Sequence, residues 1–179
     1  MEKQKELKQQ EKDLKKEKSM WSTLLTKWPS IIQLAYILYD TENPESKTKI
    51  FNKYIDIEDD VIISAESLAI HHISHKKIAS VASKNRAKIQ DALKEFLEDV
   101  KEADVVVGHN VAFDRKMIVS ELLRLTKNAD DNDIIKMMND KKFKCTQEIT
   151  RPICKLQNKN KNGQKEYYKN PKLIEAYEH

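Results

Sequence analysis

The sequence predicts an α/β fold, and three observations carry that prediction. An apolar run rich in β-branched residues, Val105–Val107, stops at Gly108 and becomes a helical pattern within three residues. That reads as a buried strand, a tight turn and a helix. Two strand-like stretches, Ile31–Tyr39 and Lys49–Ile57, flank Asn43-Pro44, a turn signal, so they form a hairpin. An amphipathic helix over Arg86–Val100 then leads through Asp104 into the Val105 strand. This alternation of helix and strand implies a crossover and a parallel strand pair.

Taken in order, the chain divides into residues 1–27, a charged arm or helix, and residues 28–179, a folded domain. Glu2–Lys18 is almost wholly Glu, Lys and Gln, with Leu7 and Leu14 one heptad apart. Such a segment forms helix readily but has little to bury, so a solvated helix is expected. Met20, Trp21, Leu24, Leu25 and Trp28 recur at helical spacing, which gives that helix an apolar face near its end.

Ile31–Tyr39 reads as a buried strand. Lys49–Ile57 alternates, with Phe51, Lys53, Ile55 and Ile57 on one face and Ile50, Asn52, Tyr54 and Asp56 on the other. Ser64 is placed to cap a short helix ending near His71, and Ser74 to start another, so His72-Ile73 is a turn. His71, His72 and His75 suggest a metal site only if one helix runs through Ser74, and no third ligand is evident. Surface imidazoles are the better reading for His72 and His75. On Arg86–Val100, Ile89, Ala92, Leu93, Phe96, Leu97 and Val100 share one side.

In the helix after Gly108, Asn110 suits the N-cap. Asp114 falls in the first turn and heads a stripe of Ile118, Glu121, Leu122 and Leu125 that faces the sheet. Its carboxylate is expected at the rim, by the carboxyl end of the strand, where open α/β sheets bind ligands. An acid favoured by the helix dipole is the plainer account. Further on, Glu148–Lys155 allows one or two helical turns. Leu156–Lys169 reads as a polar loop around Gly163 ending in Tyr167-Tyr168. It suits single-stranded nucleic acid or a plain surface loop about equally. Asn170–His179 begins a helix, with Pro171 at its first position.

Composition narrows the function classes. In 179 residues, 35% charged and 39% hydrophobic, there is room for one domain with a modest core. No apolar run reaches bilayer length, and the N-terminus lacks a signal-peptide core, so an intracellular, non-membrane protein is expected. Cys145 and Cys154 have no metal-ligand pattern and read as reduced thiols. The net charge of +4 is uneven: Lys141–His179 holds ten Lys/Arg against four Glu. That excess fits a phosphate-rich partner or simple solubility.

Four stretches resemble the DEDD (DnaQ-like) superfamily of 3′–5′ exonucleases. His109, Asn110, Phe113 and Asp114 match its second motif, H-N-x-x-F-D, in order and spacing. Trp28-Pro29-Ser30-Ile31-Ile32-Gln33 is similar to the family's second strand, and Ile63–Ser74 to its I-S-x-E…I-H-G-I segment. Phe143–Thr146 resembles the strand after the second-motif helix. The resemblance implies an RNase H-like mixed sheet flanked by helices, and hydrolysis of terminal phosphodiesters of DNA or RNA by a two-metal mechanism using Mg²⁺ or Mn²⁺. It makes Asp114 a metal ligand and catalytic residue, and places His71, Asn110 and Phe113 at the 3′ end of the nucleic acid substrate.

Two parts of the family pattern lack a match. The D-x-E first strand is missing before Trp28, and the H-x-x-x-x-D third motif is missing after the last helix; His179 matches a position upstream of it. Asp40-Thr41-Glu42 has D-x-E spacing but falls in the hairpin turn. Without the first strand, the central place in the sheet is empty, and the chain alone is expected to be inactive. A fragment, a split protein completed by a second chain, and a decayed copy all fit. So does a non-catalytic nucleic-acid-binding or interaction module derived from an exonuclease, or a helical interaction protein acting through residues 1–28.

Overall fold

The computed structural model describes residues 28–126, 132–159 and 166–179. The expected N-terminal helix and the centre of the Lys/Asn-rich segment lie outside these residues. Strand β1 (Gln33–Leu38) pairs antiparallel with β2 (Lys49–Asp56), Tyr36 opposite Phe51. In the turn between them the Asp40 carboxylate accepts the amides of Glu42 and Asn43 at 2.9 and 3.1 Å. Asp40 therefore has a local structural task, as the hairpin reading expects.

Two short helices follow, α1 (Ala65–His71) and α2 (His75–Ser80). The Ser64 hydroxyl accepts from Ser67 N, and the Ser74 hydroxyl from Lys77 N, each at 3.1 Å. His72 ends α1 with φ 57°, a left-handed conformation that glycine adopts without strain and histidine takes here. His75 is not a free surface imidazole. It is half-buried, and its Nε2 lies 2.8 Å from the carbonyl of Val61.

The expected Arg86–Val100 helix begins later than its pattern suggests. Arg86–Lys88 is strand β3, parallel to β2, and α3 spans Ile89–Glu102. The open edge of β2 takes up these residues, and the Arg86 guanidinium reaches Asp56 at 3.4 Å. β4 (Val105–Gly108) leads into α4 (Val111–Thr126); α5 (Asn132–Asp140) follows, and β5 (Lys142–Cys145) pairs parallel with β4. The chain ends with α6 (Thr146–Cys154), a hairpin of β6 (Gln157–Lys159) and β7 (Glu166–Tyr168), and α7 (Leu173–Glu178). The polar loop expected over Leu156–Lys169 is thus partly a β-hairpin. Pro171 precedes α7 by two residues and is buried, so it packs rather than opens the helix.

One core joins these elements. Phe51 and Ile55 of β2, Leu93, Phe96 and Val100 of α3, and Met117, Ile118 and Leu122 of α4 are buried together. Leu125, expected on the same stripe of α4, is 42% exposed beyond the edge of that core. β1 is not the buried strand its composition suggests: Ile37 is 64% exposed. Among the described residues its only paired neighbour is β2, and β4 pairs only with β5. The mixed α/β architecture is as expected, with strands β1–β2–β3 in one sheet and β4–β5 in another.

Candidate active site

The tight turn after β4 sets the site. A Cβ on Gly108 would lie 2.9 Å from Val111 Cγ2, so only glycine lets the strand pass this closely into α4. Asn110 occupies the position before the helix, with φ 62° and its carbonyl accepting from Phe113 N at 2.9 Å. Asparagine tolerates that left-handed conformation. The His109 ring holds the same corner: Nε2 lies 2.9 Å from the Pro171 carbonyl and Nδ1 3.1 Å from the Thr146 hydroxyl. Of the motif residues, His109 and Asn110 thus shape the corner, while Phe113 and Asp114 face outward from the first turn of α4.

Phe113 and Asp114 line a cavity of about 500 Å³ between β1 and β4, together with His71 from the end of α1. Three of the four residues expected in the site therefore converge; Asn110 does not line the cavity. Phe113 is half-exposed, and its ring lies 5.7 Å from that of Trp28. Lys116 Nζ sits 5.7 Å from the Trp28 ring centre, a cation–π distance. His71 Nδ1 accepts the amide of Ile73 at 2.9 Å, which places the proton of the neutral ring on Nε2. The Asp114 side chain is open to solvent on one side. The apolar walls still hold back enough water to push its carboxyl above the usual range, against a smaller opposing effect of its own backbone amide.

Two polar arrangements near the cavity are not evident from the motifs. Glu121, buried in the apolar stripe of α4, accepts Ile31 N at 2.8 Å and pairs with Arg124 at 2.9 Å. Arg124 also donates to the carbonyls of Trp28 and Pro29. Together they fasten the entry of β1 to α4. On α3, buried Asp99 accepts Tyr36 Oη at 2.5 Å and Lys49 Nζ at 2.8 Å. Charged residues on otherwise apolar helix faces are the signal that would have found both.

The donor set does not fit a complete two-ion centre. Two divalent ions roughly 3.5–4 Å apart require several oxygen ligands to offset their charge. Among the described residues no three His, Cys, Asp or Glu side chains gather in a metal-ligand group. A shallower hollow of about 600 Å³ near the end of α3, lined by Lys101, Glu102, Lys136 and Asp140, contains none of the motif residues.

The described residues thus form a mixed α/β scaffold with a cavity between β1 and β4 and an acidic residue in its lining. The family model described as exonuclease matches residues 22–169, most of the chain, and the protein belongs to that DEDD, DnaQ-like exonuclease family. No curated protein matches it. Among the described residues no helix is long and apolar enough to cross a membrane.

Proposed function

We propose that this chain is a 3′–5′ exonuclease-type domain acting on the 3′ end of DNA or RNA by a two-metal mechanism, and that the described residues supply only part of its site. The observation that carries this reading is the convergence of His71, Phe113 and Asp114 on one cavity. Asp114 would be one ligand of Mg²⁺ or Mn²⁺, a hard cation suited to carboxylate oxygen. Phe113 would offer a face for the terminal base, and His71 Nε2–H a donor to the sugar or phosphate. The carboxylates that a two-ion site still needs, and the histidine of the third motif, are not supplied by the described residues.

The test uses a 3′-labelled oligonucleotide and the domain completed with the two absent motifs. Asp114→Asn is expected to reduce hydrolysis to background while leaving unfolding in urea almost unchanged. Full activity in that variant would overturn the role given to Asp114.

A second reading, a nucleic-acid-binding module without catalysis, is favoured by one observation. Tyr167 and Tyr168 are each 48% exposed on β7, and neighbouring strand residues point to opposite faces. One of the two rings is available to stack on a base at either face. Single-strand affinity that falls steeply with salt and is lost on neutralising the lysines of residues 155–169 would support it. Affinity indifferent to those lysines would remove the hairpin from the account.

A further inference from the structure

We propose that Trp28 and Lys116 form a second nucleotide subsite beside the cavity, which grips the single strand one step upstream of its 3′ end. The inference rests on the reading of the cavity as the seat of a 3′ nucleotide, and it names what holds the rest of the strand. Helical geometry gives the path. At 3.6 residues per turn, Phe113 falls between Asp114 and Lys116 around the circumference of α4. Phe113 and Asp114 line the cavity, whereas Trp28 and Lys116 lie outside its lining. The Trp28 ring lies 5.7 Å from that of Phe113, and the Lys116 ammonium lies 5.7 Å from the Trp28 ring centre. Two aromatic faces and a cation thus lead away from Asp114, next to the Pro29–Ser30 wall of the cavity.

This arrangement suits a nucleotide. A base stacks on an aromatic face whatever its identity, and a lysine meets a phosphate as a point charge. Neither group is used up by the fold. Trp28 is half-buried and Phe113 half-exposed, so part of each ring is open. Other cations near the core have acidic or polar side-chain partners. Lys49 pairs with Glu95 and Asp99, Arg86 with Asp56, and Arg115 donates to Asn139. Lys116 is exposed, and among the described residues its ammonium meets the Trp28 ring and no carboxylate. A cation–π contact orients the ammonium and leaves its N–H groups free to donate.

The platform is also held in place in advance. Arg124, two turns further along α4 than Lys116, donates to the carbonyls of Trp28 and Pro29, and Glu121 accepts the amide of Ile31. The backbone at Trp28 is therefore fixed to the helix that carries Phe113, Asp114 and Lys116, which leaves little ordering for binding to offset. Plain packing is the competing account, a tryptophan at the edge of the core covered by a lysine stem. That account predicts a loss of stability on substitution, but no dependence of affinity on strand length and no change in its salt dependence.

The experiment measures the affinity of the full chain for thymidine monophosphate and for oligothymidylates of up to about eight nucleotides, with a chelator present so that no hydrolysis intervenes. Affinity should rise about tenfold from the mononucleotide to the trinucleotide and little beyond it. Trp28→Leu should erase that rise while mononucleotide binding persists, which shows that the cavity is still folded. Lys116→Gln should lower the slope of log affinity against log salt by about 0.7, the share of one phosphate, and Lys116→Arg should keep the parent slope. In a Trp21→Phe background, where Trp28 is the one tryptophan left, the trinucleotide should quench emission and the mononucleotide should not. Affinity that ignores strand length, a rise that survives Trp28→Leu, emission that no oligomer quenches, or a salt slope unmoved in Lys116→Gln each overturns the subsite and leaves the reading of the cavity standing. Absence of binding by the longest oligomer at low salt overturns both. Full hydrolysis by Asp114→Asn in the completed domain would fell the exonuclease reading alone, with the length-dependent rise and its loss in Trp28→Leu intact.

Discussion

Asp99 and Asp114 are two carboxylates on neighbouring helices, and their surroundings treat them in opposite ways. Burial pushes the Asp99 carboxyl up, but hydrogen bonds from Lys49 and Tyr36 outweigh it, and it lies below the usual range. The Tyr36 phenol, half-buried and bound to Asp99, is raised above its ordinary range in turn. Rings complete the arrangement: Tyr36 stacks on Phe51 with centroids 5.0 Å apart and meets Phe96 edge-on at 5.3 Å. Asp114 has the reverse balance. Desolvation raises it, and only its own backbone amide offsets this. A carboxylate that holds a fold together is given its cations and donors by the fold. For Asp114 desolvation prevails, a balance commoner at functional sites than elsewhere.

The largest test of that contrast is Asp99→Ala. It leaves the Tyr36 hydroxyl without its buried acceptor and removes a charged bond from Lys49, so a loss of about 2–3 kcal/mol is expected in urea unfolding. An effect near zero would mean that solvent already replaces these bonds. Glu121→Ala tests whether a second buried acid belongs with Asp99. It strips the acceptor from Ile31 N and one acceptor from Arg124, and about 1–2 kcal/mol should be lost. Ser64→Ala removes the cap of α1, which carries His71 to the cavity, at about 1 kcal/mol. Faster amide exchange confined to α1 would confirm the local origin.

Asp114→Asn should change stability least, within about 0.5 kcal/mol near neutral pH. Its pH profile carries the sign. With the folded pKa raised, the folded state holds its proton longer than the unfolded chain, so this residue's contribution is present in acid and is lost as pH rises through the folded value. Asp99, with its pKa lowered, contributes above the unfolded carboxylate value and loses that contribution as pH falls through the folded one. Comparing the stability of each variant with the parent from about pH 3 to 7 should therefore give slopes of opposite sign. Slopes of the same sign would break the comparison.

Much of the scaffold was legible in the order of residues. The β1–β2 hairpin, the serine-capped α1 and α2, and the strand–turn–helix at Gly108 follow from alternation, cap chemistry and a glycine, all short-range signals. The placing of Asp114 at the end of β4 was legible for the same reason. The short strand Arg86–Lys88 was not, because its helical neighbours mask it and only the edge of β2 makes it extended. Nor was the hairpin at Gln157 and Tyr168, where a polar composition shows no period. The exposure of Ile37 ran against its composition.

What the sequence determined by itself was the kind of element at each place and the acidic residue at the strand's end, since both depend on neighbours a few positions away. Only the tertiary structure decided which polar groups meet: Ile31 with Glu121 across 90 positions, and Tyr36 with Asp99 across 63. It alone decided that β1 and β4 line one cavity. Strand neighbours and buried partners are chosen by packing in three dimensions, and no local pattern of residues records a partner so far away along the chain.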